Sequence, residues 1–328
     1  MDIKQRKVYF NGKFVNESEA KISIYDSALM FGDMVFEMTR SFNKKQFKLR
    51  EHIDRLYMGL KIFKIKINLT KLQLEDECYR TIEMNEDIFN SNDEHRLMIN
   101  VSRGLLGIYH GIEGLDRGPN IIIADFPLKW TVRGMGILFD EGINAVITPQ
   151  RVIPSDLLDP KIKNRSRVHY MMANMQASQI KGKNNWALML DPDGFVAEGT
   201  GDNFFIIKNN KLFTPEGRNI LKGISREYVI EELCSQLNLE CYEKNFEVYD
   251  IYSADEAFMT GTPFCMLPVT SINGTKIGDG KVGRLYNRLL TKWCENTNID
   301  ISNQIKSWNR MDLEDDLSLS VTPYQFEN

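Results

Sequence analysis

The sequence predicts an α+β fold in two domains, and three observations carry that expectation. Strands cluster in hairpins, and helices follow them without the regular strand–helix alternation of a doubly wound parallel sheet. No GxGxxG segment opens a helix. Hydrophobic periodicity fades between Pro127 and Gly136, within a chain of 328 residues that is long enough for two cores. The expected domains are residues 1–130 and 131–300, followed by a polar tail, 301–328, with no clear pattern.

The elements follow from local pattern. Val8-Tyr9-Phe10, Asn11-Gly12 and Phe14-Val15 read as two apolar strands about a tight turn. A second pair flanks Asn43-Lys44-Lys45. Ile53, Leu56, Leu60 and Phe63 recur at helical spacing, which predicts a helix from about His52 to Lys66. A second helix is expected over Lys71–Glu86. Leu97, Ile99 and Val101 alternate as in a strand, and Asn120–Phe126 is another. Beyond the boundary, strands are expected at Asn144–Thr148 and Trp186–Leu190, with a helix between them over Arg165–Lys181. Asp191-Pro192-Asp193-Gly194 is a turn, and Asn209-Asn210 joins a hairpin. A helix over Arg226–Leu237, a strand at Glu256–Met259 and a helix near Val282–Glu295 complete the pattern.

Composition narrows the function classes. Charged residues make up 26% and hydrophobic ones 42%, as in an ordinary globular protein. A net charge of -4 and no basic stripe interleaved with aromatics give no reason to expect a nucleic-acid partner. The first seven residues are charged and lack the apolar core of a signal peptide. No apolar run approaches the roughly 20 residues that cross a bilayer. Five scattered cysteines with no CxxC pair suit free thiols in a reducing cytoplasm. The four histidines never fall at metal-ligand spacing, so no metal is expected.

Four groups of residues suggest chemistry. Glu198 stands in Glu198-Gly199-Thr200-Gly201-Asp202-Asn203, where glycines would let backbone approach a flat ligand; a surface turn is the plain alternative. Gly223-Ile224-Ser225-Arg226 opens a helix, and with Thr260-Gly261-Thr262 it offers backbone N–H groups to a dianion. Ser225 could equally be a simple N-cap. Arg55 could contact a phosphate with a fixed fork of donors, or be a solvated surface charge. Lys161 and Lys163, in a basic segment, could each be solvated or serve as nucleophile and acid/base.

Taken together these blocks resemble the fold-type IV pyridoxal-phosphate enzymes, the class IV aminotransferase family of branched-chain and D-amino-acid aminotransferases. The resemblance spans roughly residues 8–285. It rests on Asp26-Ser27-Ala28-Leu29-Met30-Phe31-Gly32-Asp33 with Phe36-Glu37-Met38-Thr39-Arg40, on Glu51–Leu56, on the Lys163 segment, on Glu198–Asn203, on Gly223–Arg226, and on Ala254-Asp255-Glu256 leading to Thr260-Gly261-Thr262. The resemblance implies a two-domain fold with pyridoxal 5'-phosphate as cofactor. It assigns Arg55 and Ile224, Ser225, Gly261 and Thr262 to the phosphate, and Glu198, with Asn203 in the same block, to the cofactor ring. In the D-amino-acid members the lysine stands fourteen residues before a helix alanine; Lys163 and Ala177 reproduce that spacing and Lys161 does not. A ping-pong transfer of an amino group from a hydrophobic or branched-chain amino acid to a 2-keto acid is therefore expected, in a cytoplasmic homodimer whose site lies between the domains. Aminodeoxychorismate lyase, D-amino-acid or R-amine transaminase, and a non-catalytic binding homologue are the alternatives.

The substrate pocket departs from both subgroups. Glu94 stands where branched-chain enzymes carry a tyrosine two residues before the arginine, here Arg96. Pro263 follows Gly261-Thr262 and has no N–H to offer a substrate carboxylate. The D-amino-acid pattern keeps His110 but has Ile108 in place of its arginine. Phe36, Arg40, Arg96, His110 and Arg167 are thus the candidate substrate contacts.

Overall fold

The computed structural model describes residues 5–115, 117–311 and 321–322. The chain forms two compact units: residues 1–128 with 162–167, and residues 129–161 with 168–328.

In the first unit, β1 (Lys7–Phe10), β2 (Lys13–Asn16), β3 (Met34–Met38), β6 (His95–Ser102) and β7 (Asn120–Pro127) form an antiparallel sheet in the order β2-β1-β7-β6-β3, with β4 (Ser41–Phe42) and β5 (Lys45–Gln46) as a separate ribbon. The first hairpin forms as its sequence dictates. Asn11 and Gly12 both adopt positive φ, 50° and 87°, so the two-residue turn matches the strand twist. Helices Leu49–Phe63 and Lys71–Asn85 bury Ile53, Leu56, Leu60, Leu74, Cys78 and Ile82 in one core with Leu97, Ile99 and Val101 of β6. Thr70 caps the second helix through a reciprocal pair with Gln73.

In the second unit, β8 (Ile143–Arg151), β9 (Asn185–Leu190), β10 (Val196–Gly199), β11 (Asn203–Lys208), β14 (Glu256–Gly261) and β15 (Cys265–Ile272) follow one another around a closed ring. β12 (Lys211–Thr214), β13 (Cys241–Glu243) and β16 (Thr275–Lys276) extend it. The ring closes through a single pair, Glu198 opposite Asn203. Closure removes the sheet edge there and draws both residues to one seam.

Two expectations are corrected, and one strand goes beyond them. Arg165–Arg167 is not helical; the helix runs over Val168–Ser178, and the segment before it pairs with β3. Cys265–Ile272 is a strand despite Pro268; its ladder with β8 begins only at Val269, where an N–H is available again. The supposed tail begins with a helix, Ile301–Met311, whose Ile301, Ile305 and Trp308 are buried one above another at helical spacing.

Candidate active site

The first unit gathers Lys163, Phe36, Arg55 and Arg167. Segment 162–167 runs antiparallel to β3: Phe36 N–H donates to the Lys163 carbonyl (2.9 Å), Arg165 N–H to that of Met34 (3.0 Å), and Val35 faces Asn164. An extended backbone turns alternate side chains to one face, and Lys163, Arg165 and Phe36 share it. Lys163 Nζ stands 5.0 Å from the Phe36 ring centroid. Gly32 makes room for this segment. Its φ is 68°, and a Cβ there would meet Ser166 Oγ at 2.7 Å. Lys161, the other candidate, is an ion-pair partner of Asp159 at 2.8 Å and donates to the Arg218 carbonyl at 3.1 Å.

Arg55 projects from the helix Leu49–Phe63, and Glu37 holds it. Its Nε donates to Glu37 Oε1 (2.7 Å) and its Nη2 to Oε2 (2.8 Å), a two-bond fork on a carboxylate that is fully buried. His52, one turn earlier, meets Oε2 at 2.7 Å. Burial pushes the Glu37 carboxyl up, yet Arg55 and His52 outweigh it and hold the group far below the usual carboxylate range. Burial holds the His52 imidazole down, against the pull of Glu37. His52 is therefore neutral near pH 7, and Nδ1 carries the proton that Glu37 accepts. The Lys163 charge also reaches His52 and lowers it further.

The second unit gathers Glu198, Asn203, Ile224, Ser225 and Gly261. Glu198 is buried at 3% exposure and accepts three hydrogen bonds: from Tyr170 Oη (2.8 Å), Asn203 Nδ2 (3.1 Å) and Leu221 N–H (2.9 Å). Asn203 Nδ2 also donates to the Leu221 carbonyl, 2.9 Å away. A Cβ on Gly223 would strike Asn203 Oδ1 at 2.1 Å, so this glycine lets the helix start press against the seam. Gly223 is the N-cap and makes no side-chain cap bond, so Ser225 is the second helical residue rather than the cap, and it is buried. Asn203 is opposite Thr260, whose buried Oγ1 meets no hydrogen-bond partner among the described residues. Gly261 ends β14 and Thr262, partly exposed, begins the turn into β15. Buried hydroxyls, a helix start with open N–H groups and a fixed carboxylate suit a phosphorylated ring cofactor, and the orphaned Thr260 hydroxyl is one more polar group that such a ligand would satisfy.

The other substrate candidates divide. Arg40 is fully buried, stacked 3.9 Å over the Phe42 ring, with Nε donating to the Ser41 carbonyl. Arg96 is 7% exposed and lies against Met38 Sδ at 3.6 Å. His110 is half-buried, its Nε2 3.1 Å from the Leu105 carbonyl. Glu94 accepts from Ser41 Oγ and from the Asn43 and Lys44 N–H groups, and so shapes the β4–β5 turn. Reasoning from sequence missed Glu37, His52, Tyr170 and Arg165. Glu37 and His52 lie inside blocks already quoted, but only the sheet and helix bring them to Arg55.

Residues 34–272 match the family model of amino-transferase class IV. A putative branched-chain-amino-acid aminotransferase of Methanocaldococcus jannaschii is 38% identical over 292 residues, 88% of this chain and 95% of that protein. A D-alanine aminotransferase of Bacillus licheniformis is 30% identical, over 87% of this chain and 95% of its own. The solved branched-chain amino acid aminotransferase of Escherichia coli superposes with a TM-score of 0.80 at 26% identity, covering 89% of this chain and 94% of the other. The chain belongs to the class IV aminotransferases. It is a pyridoxal-phosphate-dependent transaminase with the α+β architecture of fold type IV, and its substrates are an amino acid and a keto acid. Among the described residues no helix is long and apolar enough to cross a membrane, and no group of three His, Cys, Asp or Glu side chains could hold a metal ion.

Proposed function

We propose that the enzyme moves an amino group between a hydrophobic, branched-chain amino acid and a 2-keto acid, with Lys163 as the acid/base. The 38% identity to the putative branched-chain enzyme over nearly the whole of both chains carries the substrate class. Lys163 rather than Lys161 is favoured because it pairs with β3 through its carbonyl, shares a face with Phe36 and stands fourteen residues before Ala177.

When bound, pyridoxal phosphate would accept the electron pair that the departing proton leaves on substrate Cα. Lys163 would take the Cα proton and deliver it to the cofactor C4′, and in the second half-reaction it would carry a proton the opposite way. Arg55, oriented by Glu37, and the Ile224, Ser225, Gly261 and Thr262 group would hold the phosphate. Glu198, fixed by Tyr170, Asn203 and the Leu221 N–H, would hold its negative charge beside the ring nitrogen. The reaction proceeds as two half-reactions, and the keto acid leaves before the second substrate enters.

The test is an absorbance spectrum of the protein with added cofactor, followed by a panel of donors. Bleaching of the visible band by L-leucine is expected; bleaching by D-alanine alone would reassign the stereochemical class. We also read the protein as a cytoplasmic homodimer. The neighbouring Leu29, Met30 and Phe31 are 64%, 42% and 63% exposed, a short apolar run that a partner's surface would remove from water. Light scattering should return twice the chain mass, and a single-chain mass would reject the dimer.

Glu37 gives a further expectation. In Glu37→Gln the partly exposed Arg55 loses its buried counter-charge, and an amide N–H faces a donor. Stability should fall by about 3–5 kcal/mol, the usual cost of breaking a buried pair, and cofactor affinity should fall with it. Thermal unfolding with and without cofactor measures both; an unchanged midpoint would show that Glu37 does not hold Arg55.

A further inference from the structure

The helix Val168–Ser178 buries Tyr170, Ala173, Asn174 and Ala177, which recur at the spacing of one helix face. Ala173 and Ala177 pack in one core with Val146, Ala187 and Met189. The polar members of the face, Tyr170 and Asn174, both reach the same short stretch of chain. Tyr170 Oη donates to Glu198 Oε1 (2.8 Å), and Asn174 Oδ1 accepts from Thr200 Oγ1 (3.0 Å). One helix face thus holds the residues on either side of Gly199.

Gly199 turns the chain back on itself. Its N–H donates to the Asp202 carbonyl (3.0 Å), and a Cβ there would collide with Asp202 Oδ1. The turn ends at Asn203, which pairs with Glu198 and donates to its Oε2 (3.1 Å). Asn174 is 9% exposed and Thr200 7%, so their bond is shielded from water. The other end of the Asn174 amide, Nδ2, is buried and meets no hydrogen-bond partner among the described residues. A leucine of similar shape would leave no such orphan, so burial alone does not favour an asparagine here. What the asparagine adds is an acceptor for Thr200.

We propose that Asn174 is a positioning residue: by anchoring Thr200 it fixes the turn over residues 199–202, and so holds Glu198 in place for the cofactor ring. This rests on the reading of Glu198 as the partner of the ring nitrogen. Tyr170, Asn203 and the Leu221 N–H fix the carboxylate oxygens. Asn174 acts instead on the chain that carries them, from the same helix that supplies Tyr170.

Cofactor affinity and hydrogen exchange test this. Asn174→Leu and the isosteric Thr200→Val should each weaken binding of pyridoxal phosphate by roughly three- to tenfold, the size of one buried hydrogen bond. The double variant should lose no more than either alone, because both substitutions remove the same bond. Thr200→Ser keeps the hydroxyl and should bind like wild type. In the cofactor-free protein the Leu221 N–H, which donates to Glu198 Oε2, should exchange roughly three- to tenfold faster in both single variants. The Leu212 N–H, bonded to the Glu240 carbonyl, should keep its rate. Equal acceleration at both amides would show a loss of general stability and overturn the proposal. So would wild-type affinity and exchange in the single variants, losses that add in the double variant, or a Thr200→Ser protein as weak as Thr200→Val. If Asn174→Leu does not fold, the contrast between valine and serine at position 200 decides. A Glu198→Gln protein with wild-type affinity and spectrum would instead refute the reading of Glu198 at the ring.

Discussion

Replacing Lys163 with alanine is expected to lower turnover by on the order of 10³-fold or more, because a positioned acid/base contributes about 10²–10⁴-fold and the proposed role also has this residue anchor the cofactor. Lys161→Ala should retain activity. Its ammonium pairs with Asp159 and the Arg218 carbonyl, where a loss costs at most a partly exposed ion pair. The two lysines are two residues apart in a uniformly basic segment, so the contrast separates chemistry from local charge. Steady-state rates on an amino donor and the cofactor's visible band should both collapse in Lys163→Ala and persist in Lys161→Ala. The reverse result would move the assignment to Lys161. Loss in both would point to the fold of the segment.

Local pattern made most of the architecture legible, and the failures share a cause. Asn11-Gly12 needed no tertiary information, because two positive φ angles select that turn. Ile53, Leu56 and Leu60 marked a buried helix face for the same reason. Cys265–Ile272 is not legible locally, because Pro268 disfavours a central strand and only the fold starts the β8 ladder past it. The Ile301–Met311 helix was hidden by its polar face, although Ile301, Ile305 and Trp308 keep the period. At the site, motif order points to Arg55 and Glu198 as candidates. It does not point to their partners: Glu37 reaches Arg55 only across a sheet–helix contact, and Tyr170 reaches Glu198 only because its helix packs on the strands beside it. The alternation of Lys163, Arg165 and Arg167 was a strand signal, masked by the helix that follows at Val168.

Glu198→Gln is expected to lower turnover by about 10²–10³-fold, the usual cost of removing a preorganised electrostatic group. The present carboxylate receives hydrogen bonds from Tyr170, Asn203 and the Leu221 N–H. An amide keeps the shape but removes the charge, and it turns one acceptor into a donor facing other donors. That leaves at least one buried polar group unsatisfied, at about 1–3 kcal/mol of stability. Both losses therefore arise from one substitution, and a second variant separates them. Tyr170→Phe removes one donor and keeps the carboxylate charge, so turnover should fall by roughly tenfold or less. If ring electrostatics are the role of Glu198, the cofactor spectrum should shift in Glu198→Gln and stay put in Tyr170→Phe, even where the two variants unfold at the same temperature. Equal spectra with equal stability losses would leave Glu198 as the residue that closes the barrel opposite Asn203, and the ring nitrogen would need another partner.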